Sequence, residues 1–212
     1  MPYNKTALSY ADQLQQLKTR GLTIEDEPKA LHLLEVISYS RSDEEFVQAF
    51  KHKYSDPMPP SWMMLEVSSF GTLSSLYSYL QPTKDKRYIA KYFGLADKVL
   101  SSWLHSIVYL RNVCAHHARL WNREMQIQPI IPLNPHHTFI NQTSYVCPET
   151  GQSLPLNNKA YFILSMVIYL MNTINPKHGI QSKFKALLAK YPNIDPHAMG
   201  FPATWQNETL WK

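Results

Sequence analysis

The chain has 212 residues, of which 44% are apolar, 12% aromatic and 17% charged, and this balance is typical of a folded domain rather than a disordered segment. Its 6 glycines argue against Gly-rich phosphate loops, and its 2 cysteines, Cys114 and Cys147, exclude a disulfide framework. The formal charge of +5 favours an anionic partner, nucleic acid first, although charge alone is weak evidence.

The N-terminal residues MPYNKTALSYADQ contain no apolar run of the kind that a secretory signal requires. The longest apolar run, residues 160–171, is too short to span a bilayer and suits a buried helix. We therefore expect a cytoplasmic protein with no membrane contact, in which Cys114 is a buried free thiol.

Hydrophobic periodicity predicts helices almost throughout, and therefore one all-α domain over residues 1–212. N-terminal helices are expected within residues 1–55: over 10–20 with Gly21 as the stop, from Asp26 and Pro28 through Ile37, and from Ser42 through Phe50. Core helices follow within residues 61–124: a continuous helix capped by Ser61 over 62–80, a basic helix over 84–93 ended by Gly94, and a long helix from Asp97.

Glu66 falls on the same heptad position as Leu73 and Leu80 in the helix over 62–80. It is either a carboxylate exposed at the helix edge or a buried partner for an arginine, and the exposed placement is favoured.

The C-terminal part begins with a Pro-rich loop, assigned to residues 125–158, which contains five prolines and little periodicity. We expect this loop to be ordered, with a small hairpin around residues 148–151. C-terminal helices follow within residues 159–212, over 159–173 and 181–191, with a further start at Asp195-Pro196 and a short final segment that carries Trp205 and Trp211.

The helix from Asp97 carries an arginine in an unusual place. Leu100, Leu104, Ile107 and Val108 predict its buried stripe. Arg111 is seven residues past Leu104 and so lies within about 20° of it around the helix. Because a buried guanidinium costs several kcal/mol unless it is paired, this position needs a carboxylate or an anionic ligand.

Polar side chains surround that arginine. Asn112 and His116 are spaced i,i+4, so the amide can orient the imidazole, and Arg119 follows His116 on the same helical face. An imidazole can act as base or acid in cleaving an RNA phosphodiester, and a guanidinium suits the phosphate, with no metal required. The residues alone leave a structural role open, because a single Arg-x4-His pair occurs by chance in many proteins.

Four stretches resemble one known family. They are RNVCAHHARLWNRE at residues 111–124, PPSWMMLEVSSFGTLSSLY at 59–77, KTALSYADQLQQLKTRGLTIEDEPKAL at 5–31 and SDEEFVQAFKHKYSDPMPP at 42–60. The chain is similar there to the abortive-infection (Abi) family of bacterial phage defence, in its AbiD/AbiF-like branch. The likeness covers most of residues 5–124.

The resemblance implies a HEPN-like helical bundle that acts as a homodimer and cleaves RNA without metal or other cofactor. It implies that Arg111 and His116 are the catalytic pair of an Arg-x(4–6)-His motif, that Asn112 orients, and that the products are a 2′,3′-cyclic phosphate and a 5′-hydroxyl. His117, Arg119 and Glu66 are candidate assisting residues. Expected partners are RNA and an antitoxin RNA or protein, and expected RNA-binding residues are Lys84, Lys86, Arg87, Lys91 and Arg123.

Two alternatives stay open. The family usually has a longer segment before the SDEEF stretch than this chain has, which keeps a non-catalytic HEPN-type module that binds RNA or protein in consideration. The second alternative is a zinc site from Cys114, His116, His117, His136, His137 and Cys147.

Overall fold

A computed structural model describes residues 9–19, 26–31, 49–50, 52–54, 61–147 and 150–212. This part of the chain is mostly helical and holds one small two-stranded sheet, so the all-α prediction is confirmed. The chain forms two compact units, residues 1–86 and 87–212. Among the described helices, none is long and apolar enough to cross a membrane.

The described elements follow the predicted order closely. The helices are α1 (Tyr10–Thr19), α2 (Ser61–Val67), α3 (Phe70–Tyr79), α4 (Lys84–Tyr92), α5 (Asp97–Ala115), α6 (Ala160–Ile174) and α7 (Ile180–Lys190). Strands β1 (Ser144–Val146) and β2 (Ser153–Pro155) lie between α5 and α6, and short 3-10 turns cover Pro196–Met199, Trp205–Asn207 and Thr209–Trp211. Residues 27–31 are also helical after Asp26. The predicted end of this helix at Ile37 and the predicted start of the next helix at Ser42 lie outside the described residues.

The prediction of one continuous helix over 62–80 is wrong, because the helix is interrupted at Ser68 and Ser69, between α2 and α3. The Ser68 hydroxyl donates to the carbonyl of Met64 at 2.7 Å, and Ser69 then caps α3 by accepting from the Thr72 backbone at 3.1 Å. Serine side chains compete in this way for backbone groups and favour helix starts over helix interiors. The Ser-Ser pair therefore ends one helix and starts the next.

Lys86 closes the end of α3 within the first unit. Its ammonium donates to the carbonyls of Ser78 at 3.0 Å and Leu80 at 2.7 Å, and it lies over the ring of Tyr77. The carbonyls at a helix C-terminus have no partner within the helix, so a buried cation satisfies them well. Only 8% of Lys86 is exposed, which makes it part of the packing.

In the second unit, residues 125–130 lie along one side of α5. Trp103 donates its indole N–H to the carbonyl of Ile130 at 2.9 Å, and the Ser102 hydroxyl accepts from the Ile130 backbone at 3.0 Å. One turn later, the Ser106 hydroxyl donates to the carbonyl of Ile127. A loop segment without a strand partner needs such side chains to satisfy its backbone groups.

The described part of the long loop carries the expected hairpin, in which Tyr145 pairs with Leu154 in an antiparallel register. Helix α6, which follows the hairpin in the chain, is buried along most of its length. An aromatic cluster covers its first half: Tyr161, Phe184, Phe201, Trp205 and Trp211 have ring contacts with one another. The Trp211 indole donates to the buried Ser165 hydroxyl at 2.9 Å, which attaches the C-terminal turns to α6.

Gly200 and Gly151 provide a matched test of this packing. Both have left-handed backbones, with φ of 83° and 69°, but a Cβ on Gly200 would be 2.6 Å from the Cβ of Lys159, whereas a Cβ on Gly151 would meet nothing within 4 Å. Gly151→Ala should cost about 1 kcal/mol from backbone strain alone. Gly200→Ala should cost roughly 2–4 kcal/mol, because a clash with backbone-attached atoms adds to the same strain. Urea unfolding measures both costs, and equal costs would contradict the close approach of Gly200 to α6.

Candidate functional site

The buried side of α5 differs from the predicted one. Leu100, Trp103, Ser106 and Val113 are buried, whereas three members of the predicted stripe, Leu104, Ile107 and Val108, are only half-buried. The buried side differs because residues 125–130 cover the side of α5 that carries Trp103 and Ser106. The predicted stripe therefore has a partly open surface.

Arg111 lies on that open side. It is about 20° from Leu104 around the helix and about 140° from Ser106, and its side chain is exposed. Within the part of the chain that the structure describes, no carboxylate approaches the guanidinium within 4 Å. The guanidinium donates to the amide oxygen of Asn112 at 3.1 Å, which leaves most of its donors facing solvent.

The motif helix ends earlier than predicted, at Ala115. The Ala118 backbone donates to the carbonyl of Val113 and the His117 backbone to that of Cys114, both at 3.0 Å, in the pattern of a Schellman motif. His117 takes the left-handed position of that motif, with φ of 51°, which glycine usually occupies. His116 is therefore the C-cap residue of α5 rather than a residue of its interior.

This ending changes the relations among the predicted side chains. Asn112 bonds Arg111 instead of orienting His116, and Arg119 no longer shares a helical face with His116 because the helix has ended. His116, His117 and Arg119 are all exposed. Arg111 and His116 remain within about one and a half turns of each other at the open end of α5.

Cys114 also lies in this region and is exposed, so the prediction of a buried thiol is wrong. It projects from α5 between the two motif residues, one position after the buried Val113. Cys114 is about 20° from Trp103 around the helix, but it lies in the last turn of α5, past Ser102, Trp103 and Ser106, whose side chains bond residues 127–130.

Arg123 has a packing contact. Its guanidinium donates to the Tyr109 hydroxyl at 3.2 Å and lies 5.9 Å from the centre of that ring. Next to it, Glu124 forms an ion pair with Lys159 at 2.7 Å. These contacts hold the segment after the motif against α5 and α6, and Tyr109 was not predicted to take part.

The other predicted residues are more dispersed. Glu66 is exposed on α2 in the first unit, as the favoured interpretation had it. Lys84, Arg87 and Lys91 are exposed on α4, but the ammonium of Lys86 is bound to the end of α3 and is unsuited to a phosphate. For the zinc alternative, the described residues contain no group of three His, Cys, Asp or Glu side chains arranged to hold a metal ion.

Comparison with known families decides the relationship of the chain. The family model for Abi-like proteins matches residues 3–122, which is more than half of the sequence and includes the whole Arg111–His116 motif. The chain belongs to the Abi-like protein family. Membership of this Abi-like family connects it with abortive infection and phage defence. No curated protein and no solved structure was found to match the chain.

The left-handed backbone of His117 provides a test of how α5 ends in this Abi-like protein. His117→Gly should raise the free energy of unfolding by about 1 kcal/mol, because glycine adopts a φ of this kind without strain. His117→Ala should lower it slightly, since alanine tolerates that conformation less well than histidine. Urea unfolding gives the order Gly above wild type above Ala, and any other order would contradict the Schellman ending.

Proposed function

We propose that the protein is a metal-independent endoribonuclease of an abortive-infection or toxin-like system. Its active site would form where two copies bring Arg111 and His116 together. The observation that carries the proposal is the exposure of both side chains at the end of α5, with no carboxylate near the guanidinium among the described residues. An exposed guanidinium that no carboxylate neutralises is available to bind a phosphate.

The chemistry requires only these groups. His116 of one copy takes the proton from a ribose 2′-hydroxyl, and the 2′-oxygen forms a bond to the adjacent phosphorus. The bond from phosphorus to the 5′-oxygen breaks, and His116 of the other copy supplies the proton that the leaving oxygen requires. The products are a 2′,3′-cyclic phosphate and a 5′-hydroxyl. Arg111 of either copy stabilises the charge on the phosphoryl oxygens through its planar donors.

Asn112 supports the arginine in this scheme. Its amide oxygen accepts from Arg111 and so restricts the orientation of a long side chain that is otherwise exposed. Holding a donor in place before the reaction is what makes electrostatic stabilisation effective. His117 and Arg119 are exposed beside the motif, and in this proposal they contact neighbouring phosphates.

A second copy has a suitable surface on α5. Leu104, Ile107 and Val108 are half-buried and lie on the same side of the helix as Arg111. In a two-fold dimer the same patch meets itself, so two α5 helices packed through these residues would bring both motifs to one groove. A supporting feature is that these apolar side chains have open surface in the single chain.

A mixing experiment tests this proposal. Cleavage of mixed RNAs should persist in EDTA and disappear with His116→Ala. In an equal mixture of wild-type and His116→Ala chains, activity per wild-type chain should fall to about half, because half of the wild-type chains then sit in mixed dimers. His105→Ala is the matched control, since His105 is also an exposed histidine of α5. Its chains keep both motif residues, so mixing them with wild type should leave the activity per total chain unchanged.

The results separate the alternatives. Activity per wild-type chain that is unaffected by His116→Ala chains would rule out a composite site. RNA binding that requires Arg111, with no cleavage by any preparation, would instead establish the binding module.

A further inference from the structure

We propose that the outer face of α4 is a platform on which unpaired bases of single-stranded RNA stack, with Tyr88 and Tyr92 as the stacking residues. The proposal rests on the proposed function in taking RNA as the ligand, but it concerns a different surface from the Arg111–His116 site. It names the form of RNA that the protein binds, which is a strand with accessible base faces.

The two tyrosines are unusually open. Tyr88 is 77% exposed and Tyr92 is 64% exposed. They are spaced i,i+4, so they lie on the same side of α4 about one turn apart. Tyr92 touches Phe93 edge-to-face, with ring centroids 5.3 Å apart, which steadies that ring without covering it.

The opposite side of α4 is packed. Ala90 is fully buried and Lys86 is 8% exposed, with its ammonium bound to the end of α3. Both residues lie about 160° from Tyr88 around the helix. The two tyrosines are therefore on the side of α4 that faces away from its buried residues.

Cations alternate with the tyrosines along the same face. Arg87 and Lys91 are exposed and lie about 100° and 60° from Tyr88 around the helix, and the exposed Lys84 precedes Tyr88 by about one turn. The only carboxylate of α4, Asp85, lies in the first turn about 60° from Tyr88, so this face carries three cations and one carboxylate. Positive charge interleaved with exposed aromatic rings is the arrangement that binds the phosphates and bases of a single strand.

Single-stranded RNA fits this face better than a duplex does. The bases of an A-form duplex are stacked on one another and present only their edges, so a tyrosine ring has no base face to cover. In an unpaired strand each base has two open faces, and tyrosine stacking tolerates any sequence. We therefore expect binding that depends on strandedness and little on sequence.

The platform is separate from the motif along the second unit. Residues 93–96 join α4 to α5, and α5 extends roughly 27 Å from Asp97 to Ala115, just before His116. Stacking at Tyr92 thus holds a part of the strand other than the bond to be cleaved. Loss of the tyrosines should raise KM and leave kcat unchanged.

Binding to the uncleaving His116→Ala protein tests the platform directly. The probe is a short fluorescein-labelled unstructured RNA, followed by fluorescence anisotropy, with a duplex of the same sequence for comparison. Tyr88→Ala and Tyr92→Ala should each raise Kd about five-fold or more, and the double variant about thirty-fold, since each removes one stacked base. Phenylalanine at both positions should bind normally, because the ring is what stacks.

Matched controls distinguish stacking from general surface effects. Tyr191→Ala removes another exposed tyrosine beside a lysine, but one with no second ring a turn away, and it should leave Kd unchanged. Lys91→Gln should reduce the slope of log Kd against log salt by about 0.7, the share of one phosphate contact on a single strand.

The failures of the two proposals differ. If wild-type protein cleaves RNA but the Tyr88 and Tyr92 variants bind and cleave as it does, the platform is wrong and the nuclease stands. If tyrosine-dependent binding appears without any cleavage, the platform stands and the nuclease fails. Equal affinity for duplex and single strand, or loss of dimers in place of loss of RNA binding, would also overturn the platform.

Discussion

The indole N–H of Trp103, bonded to the carbonyl of Ile130, decides which side of α5 is buried. Together with Ser102 and Ser106 it satisfies backbone groups of residues 125–130, which have no strand partner of their own. Since these polar side chains must face that segment, the purely aliphatic side of the helix is left partly open. Arg111 belongs to this open side, so the loop that follows the motif is what exposes the motif.

The end of α5 determines how His116 is exposed. A Schellman motif with His117 in the left-handed position stops the helix directly after the motif, and the contacts of Arg123 and Glu124 then hold the chain against α5 and α6. His116 consequently stands at a helix terminus, where one side is free of further helical turns. A terminus is more accessible to a polymer than the middle of a helix, which suits the proposed site for RNA.

Local sequence patterns predicted the helices well and the environment of the motif only in part. The apolar run that forms α6 and the turn signal at Gly94 act within a few residues, so periodicity and helix stops suffice for them. The buried side of α5 depends on residues more than twenty positions away, which no local pattern contains. Residues 116–124 include neither glycine nor proline, so the stop at Ala115 had no conventional signal. Arg111 was placed on the correct stripe, but Leu100 is the one apolar member of that stripe that is buried, and Leu104, Ile107 and Val108 are only half-buried.

Cysteine accessibility tests most directly whether the motif side of α5 is open. In a chain whose Cys114 and Cys147 are replaced by serine, single cysteines at Arg111 and Val113 lie on opposite sides of the helix. At concentrations low enough to keep the chain monomeric, we predict that Arg111→Cys reacts with a thiol reagent almost as fast as in the unfolded chain. Val113→Cys should be protected until unfolding. Protection of Arg111→Cys with rapid reaction of Val113→Cys would contradict the account.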